Sequence, residues 1–220
     1  MDMGSTAVTG INANALHRLR KALGLEERRV KISEPLQLLG EVEEDVYQAL
    51  GLDCVGISAG INLFGFSTAG RKPWTMPSGL SVDVPVDFNT TVDGQGRTYL
   101  YPQGDLSAPP SGMMPKGGVF FDNITRGEIS CDDIESSGAE DFKDDFAVMN
   151  DDQLRELERQ CDYYYDNTDY GIIYSSNIAA IGDFAIVPGP NVKHPVGIRS
   201  LPEFMMAHHL CPDYIHEVFE

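Results

Sequence analysis

Apolar positions along the chain fall into short blocks whose spacing switches between helical and extended periods. From Asn12 or Asn14, either of which can cap, "ALHRLRKALG" sets Leu16, Leu19 and Leu23 on one helical face, and Gly24 offers a stop. "RRVKI" over 28–32 predicts a short strand. "EVEEDVYQALG" then spaces Val42, Val46 and Leu50 by four for a helix, and "LDCVGI" over 52–57 is a compact apolar run typical of a buried strand. Strand, helix, strand with about twenty residues between the strands predicts a parallel crossover unit.

The pattern changes over 82–102. "VDVPVDFNTTVDGQGRTYLYP" has partial alternation and β-branched residues on both sides of Asp93-Gly94-Gln95-Gly96, which predicts a hairpin, with Pro85 suggesting an edge strand. "GVFFD" over 118–122 predicts a further strand. The Pro/Gly-rich stretch "YPQGDLSAPPSGMMPKGG" then reads as the connection between two strands of a small antiparallel addition.

Asn150 with Gln153 predicts a capping box opening "DDQLRELERQCDYYYDN", where Leu154, Leu157, Cys161 and Tyr164 or Tyr165 recur at three and four. "YGIIYS" over 170–175 predicts a central strand ending in "SSN". "LPEFMMAHHL" and "CPDYIHEVFE" predict two short helices with Pro202 and Pro212 in first positions. The last apolar face, Tyr214, Ile215, Val218 and Phe219, stops at Glu220 without a capping residue. The first residues read as the end of a strand and its loop, so the 220 residues are expected to be a fragment.

Charge narrows the functional classes. A formal net charge of −18 opposes binding to a phosphate backbone, so no nucleic-acid partner is expected. Between Glu128 and Asp152 lie ten Asp or Glu and the single Lys143, which reads as a solvated connector entering a helix. Apolar runs such as Cys54 to Ile57 fall far short of the roughly 18 residues that span a bilayer, so no membrane span is expected. With no signal-peptide pattern at the start, a cytoplasmic location is the default. The four cysteines, at 54, 131, 161 and 211, show no C-x-x-C pair and are read as reduced, mostly buried thiols.

Several stretches carry a resemblance: "DMGSTAVTGI", "QLLGEVEEDVYQALGLDCVGI", "PVDFNTTVDGQGRTYLYPQGDLSAPPSGMMPKGGVFFD" and "IVPGPNVKHPVGIRSLPEFMMAHHLCPDYI". They resemble the uroporphyrinogen decarboxylase superfamily, in its branch of methyltransferase-like proteins that work with corrinoid proteins. The resemblance implies an α/β fold of (β/α)8 TIM-barrel type, here incomplete and limited to the N-terminal portion. An antiparallel β-hairpin and Pro/Gly-rich insertion over 80–122 would lie across the barrel mouth. An open half barrel leaves strand edges and apolar helix faces uncovered, so dimerisation or aggregation is expected.

In such a barrel the chemistry lies at the C-terminal ends of the strands. That rule marks Asn89 and Thr90 on the hairpin, Gln103, Asp105 and Lys116 beside it, and Ser175 and Asn177 after the central strand as groups that could orient a small substrate. Asn, Ser and Asp also cap turns routinely, so each has a structural reading beside the functional one. The resemblance implies methyl transfer between a small methylated compound or thiol and a corrinoid carried by a partner protein. Zinc, where members use it, is held by a His-x-Cys pattern and a distant Cys in the second half of the barrel, outside these residues. "HHLC" (His208, His209, Cys211) and His194 are read as structural. Decarboxylases of the superfamily hold their octacarboxylate substrate with an Arg-Gln-Ala-Gly-Arg motif, which this sequence lacks; Arg18, Arg20, Arg28 and Arg29 read as a solvated face. Tetrapyrrole decarboxylation and a non-catalytic binding or assembly module remain the alternatives.

Overall fold

The computed structural model describes residues 1–135, 137–144, 148–175 and 189–219. Strand β1 (Ile11–Asn12) runs directly into helix α1 (Ala13–Ala22). Asn12, of the two possible caps, accepts the Asn14 N–H at 3.0 Å, and Gly24 ends the helical course at φ 69°. Strand β2 (Val30–Glu34) is turned back on itself by Glu34, whose carboxylate accepts the N–H groups of Leu36 and Gln37, both at 2.7 Å. Strand β3 (Leu39–Gly40) therefore pairs antiparallel with β2.

Helix α2 (Glu44–Leu50) follows, stopped by left-handed Gly51, and leads into β4 (Cys54–Ile57). The expected crossover between 28–32 and 52–57 does not form. One side of β2 is taken by β3 and the other by β6 (Ser81–Pro85), in parallel, so β4 has no place beside it. With β5 (Arg71–Thr75) as the outer strand, the larger sheet has the order β1-β3-β2-β6-β5. Pro85 thus ends an inner strand, beyond its parallel pairing at Val82 and Asp83, and it is Pro73 that sits on the edge strand.

A second, antiparallel sheet has the order β10-β9-β8-β7, made of β7 (Thr90–Val92), β8 (Thr98–Leu100), β9 (Gly112–Met114) and β10 (Asp122–Asn123). The hairpin around Asp93 to Gly96 is as expected. The Pro/Gly-rich stretch, however, contributes a strand of its own, β9, while "GVFFD" is mostly irregular and only its last residue starts β10. The segment 80–122 is therefore shared, its first strand belonging to the larger sheet. Phe88 joins the two sheets, lying edge-on to Phe66, Trp74 and Phe121 with centroids 5.0 to 6.2 Å apart. It is 2% exposed at the centre of a core that also holds Ile32, Val46, Val84 and Met114.

The remaining elements are α3 (Gly138–Phe142), α4 (Asp151–Asn167), β11 (Gly171–Tyr174), α5 (Leu201–Leu210) and α6 (Pro212–Phe219). Asn150 and Gln153 form the reciprocal capping box at the start of α4. Instead of a central position, β11 takes half of a two-stranded parallel sheet with β4. Among the described residues the strands make three sheets in a mixed α/β fold and no closed barrel.

A second, smaller core gathers Phe142, Ile198, Phe204, Ala207, Tyr214 and Ile215. Here two expectations are corrected. Cys131 and Cys211, 80 residues apart, are joined in a disulfide; their spacing gave no sign of it because the pairing depends on how α5 folds against the acidic connector. That connector is not wholly solvated either. Asp141 is buried, accepting the Tyr214 hydroxyl at 2.7 Å, and the Arg199 guanidinium lies 4.3 Å over the Phe142 ring. Burial, and then the hydrogen bond to Asp141, push the Tyr214 hydroxyl well above its ordinary range. Cys54 and Cys161 are free thiols, each half-buried. No described helix is long and apolar enough to cross a membrane.

Candidate functional site

The parallel pair of β4 and β11 sets the direction of the site. Tyr174 lies opposite Ile57, so Ser175 and Ser58 leave the pair at the same, C-terminal end. On the other side of β4 runs the segment from Met1 to Ser5: the Asp53 N–H donates to the Met1 carbonyl at 3.2 Å, and the Ser5 hydroxyl donates to the Cys54 carbonyl at 3.0 Å. The approach is close enough that a side chain at Gly56 would overlap the Ser5 carbonyl. From α4, the Gln160 carboxamide clamps Ser58, donating to its carbonyl at 2.8 Å and accepting its N–H at 3.2 Å.

The loop over 58–68 is held in shape by Asn62, whose side-chain oxygen accepts the N–H groups of Phe64 and Phe66 at 3.0 and 3.2 Å. It meets the Pro/Gly-rich segment at Gln103, whose N–H donates to the Phe64 carbonyl at 2.8 Å. Gln103 has φ 52°, the left-handed region, at the sharp bend after Pro102. Its carboxamide donates to the Asn191 carbonyl at 3.0 Å, and two residues on Asp105 pairs with Lys193 at 2.8 Å. Hydrogen bonding to Lys193 and to the Ser107 hydroxyl and N–H holds the Asp105 carboxyl well below the usual carboxylate range.

Asn89 secures the segment from below, donating to the Gly104 carbonyl at 2.8 Å while accepting the Lys72 ammonium at 2.8 Å. Arg126, buried, donates to the Gly189 carbonyl at 3.0 Å and the Lys193 carbonyl at 3.3 Å, and so anchors the far side. Three segments, 58–68, 101–108 and 189–197, therefore meet beyond the C-terminal end of β4.

Of the residues expected from sequence, Asn89, Gln103 and Asp105 are brought together at this junction. Ser175 is exposed at the end of β11. Lys116 is exposed on the 115–118 turn, with its stem against Gly96 at the hairpin tip, and so lies with the hairpin turn instead. Asn177 lies outside the described residues. Sequence reasoning passed over Lys193, Gln160 and Arg126. Lys193 stands directly before His194 in "NVKHPVG", and a carboxylate at 105 in want of a cation was its one available signal.

Arg20 is also corrected. It is 4% exposed, with its guanidinium on the Asp45 carboxylate at 2.9 and 2.7 Å, linking α1 to the start of α2. Arg28 pairs with Glu43 and Asp45, Arg29 with Asp83 and Arg71 with Glu41.

Among the described residues no group of three or more His, Cys, Asp or Glu is arranged to hold a metal ion. His208 directs Nδ1 to the Phe204 carbonyl at 3.0 Å, and Cys211 is consumed by its disulfide, so this pair does not fit zinc. The junction gathers amide, carboxylate and ammonium groups that bond to one another and to neighbouring backbone carbonyls. No family model, curated protein or solved structure matches this chain.

Proposed function

We propose that the chain is the N-terminal portion of a corrinoid-dependent methyltransferase-like member of the uroporphyrinogen decarboxylase superfamily, in which the junction beyond β4 orients a small methylated compound or thiol. The observation that carries this reading is that Asn89, Gln103 and Asp105, all within one of the stretches that resemble the family, converge at the C-terminal end of a parallel strand pair. In (β/α)8 barrels that end is where chemistry is done. On this reading β4 and β11 are neighbouring barrel strands, and the 101–108 segment is a lid whose freedom is restricted by Pro102 within it and by Pro109 and Pro110 directly after it.

The corrinoid, carried by a partner protein, is a co-substrate. This chain's share is to bind and orient the methylated compound, with the Asn89 and Gln103 carboxamides as hydrogen-bonding groups and Asp105–Lys193 as the charged pair closing the lid. The described residues do not fit zinc, and no step is assigned to it.

Tetrapyrrole decarboxylation is the weaker reading for an electrostatic reason. Arg20, Arg28, Arg29 and Arg71 are each already paired with a carboxylate, and a chain of net charge −18 repels a polycarboxylate. The test is to supply the protein, within its full reading frame, with a methyl-corrinoid protein and follow the cobalt absorption while methyl acceptors and donors are varied. Methyl exchange that weakens with Gln103→Ala and Asn89→Ala is expected. An unchanged spectrum with every donor and thiol, or release of carbon dioxide from uroporphyrinogen instead, overturns the reading.

A further inference from the structure

We infer that the Cys131–Cys211 disulfide is a redox latch that controls how firmly the 101–108 segment is held, an inference independent of the reaction proposed above. Both cysteines are partly exposed, within reach of a small dithiol. Cys131 lies in a single helical turn over Cys131–Asp133 with no buried residue, and Cys211 caps the end of α5. The stretch from Glu128 to Glu135 carries four carboxylates and neither Lys nor Arg, in a chain of net charge −18, so electrostatic repulsion favours its release. Among the described residues its other ties to the second core are partial packing of Ile129 and Ile134, and the Ile129 N–H donated to the Gly197 carbonyl at 3.1 Å.

The residues just before Cys131 are laced to the loop that grips the lid. Arg126 donates to the Gly189 and Lys193 carbonyls, and Gly127 lies so close to Pro195 that a Cβ there would overlap its carbonyl. That loop in turn presents the Asn191 carbonyl to Gln103 and the Lys193 ammonium to Asp105. A continuous line of contacts therefore runs from the disulfide through 126–129 and 189–197 to 101–108. Cutting the disulfide removes the covalent end of that line while leaving the main core intact.

The chemistry is thiol–disulfide exchange with a dithiol reductant. A thiolate of the dithiol attacks one sulfur of the disulfide, the Cys–Cys bond breaks, and a mixed disulfide forms. The second thiolate of the reductant then displaces the protein sulfur. The dithiol is oxidised to its cyclic disulfide, two electrons pass to Cys131 and Cys211, and both leave as thiols after taking up protons.

The test is hydrogen exchange read by mass spectrometry on the whole 220-residue chain, before and after treatment with dithiothreitol, with thiols counted by alkylation. Reduction should expose two additional thiols, at Cys131 and Cys211, and raise exchange in 101–108 and 189–197 by about tenfold or more, with β5 and β6 unchanged. Reoxidation should reverse the effect, and Cys131→Ser should mimic reduction in the untreated protein. Cys54→Ser should behave as the unaltered protein does. Four thiols in the oxidised protein, exchange at 101–108 that ignores reduction, or a uniform rise over every peptide would each overturn the inference, the last by making the bond a general staple.

Discussion

The Asp105 carboxylate and the Lys193 ammonium, 88 positions apart in the chain, stand 2.8 Å apart and close the Pro/Gly-rich segment onto the 189–197 loop. With side chains 31% and 38% exposed, the pair lies in largely screened surroundings, so its value is positional more than energetic. Lys193→Ala should lower global stability by no more than about 1 kcal/mol. Amide exchange at Ser107 and Ala108 should nonetheless rise clearly above that of the unaltered protein. Protection left unchanged at these amides would show that the pair does not hold the segment.

Gly56 should tolerate no side chain. A Cβ there overlaps the Ser5 carbonyl, which is backbone and is held by the Ser5–Cys54 hydrogen bond. Gly56→Ala should cost about 1–3 kcal/mol in denaturant unfolding, the range for an overpacked site. It should also free residues 1–6 to proteolysis, whereas the exposed Gly94, with open space around it, should accept Ala at far smaller cost.

The capping box of α4 can be tested by removing either half. Asn150→Ala strips the acceptor from the Gln153 N–H, and Gln153→Ala strips the acceptor from the Asn150 N–H. The first should cost about 1 kcal/mol and the second less. Because α4 carries Gln160 to Ser58, fraying should appear in exchange at the Ser58 N–H as well.

The hairpin should loosen in strong acid. Desolvation works against ionisation of Asp93, but the N–H and guanidinium of Arg97 and the N–H of Gln95 outweigh it and hold the carboxyl at about 2. Since the folded value lies below the unfolded value of about 3.9, the native hairpin binds fewer protons there. Its stabilisation is complete above the unfolded value and is lost as pH falls through about 2. The side-chain carbon resonance of Asp93 should titrate near that pH; a midpoint near 4 would contradict the assignment.

Phe88 should be the costliest single truncation in the larger core. Its ring packs against Phe66 of the 58–68 loop, Trp74 of β5 and Phe121 just before β10 and is 2% exposed, so Phe88→Ala should remove about 3–5 kcal/mol. The same change at the half-exposed Phe120 should cost far less.

What could be read from the residues alone was local. The helix start at Asn12 or Asn14, the Gly24 stop, the Asn150–Gln153 box and the Asp93 hairpin each depend on groups within a few positions of one another. Their hydrogen bonds form or fail almost regardless of the rest of the chain. Asn89, Gln103 and Asp105 were marked from sequence as polar groups on or beside the hairpin, with no sign of the partners that the fold gives them.

Tertiary structure decided what joined distant positions. It set β4 beside β11 instead of β2, placed Pro85 on an inner strand, paired Asp105 with Lys193 and Cys131 with Cys211, and buried Arg20 against Asp45. Hydrophobic burial, which drives these choices, is proportional to area and has no direction, so an apolar strand pattern specifies that a strand is covered and not by which neighbour. The partner follows only once the Glu34 turn has brought β3 to one edge of β2 and β6 has filled the other.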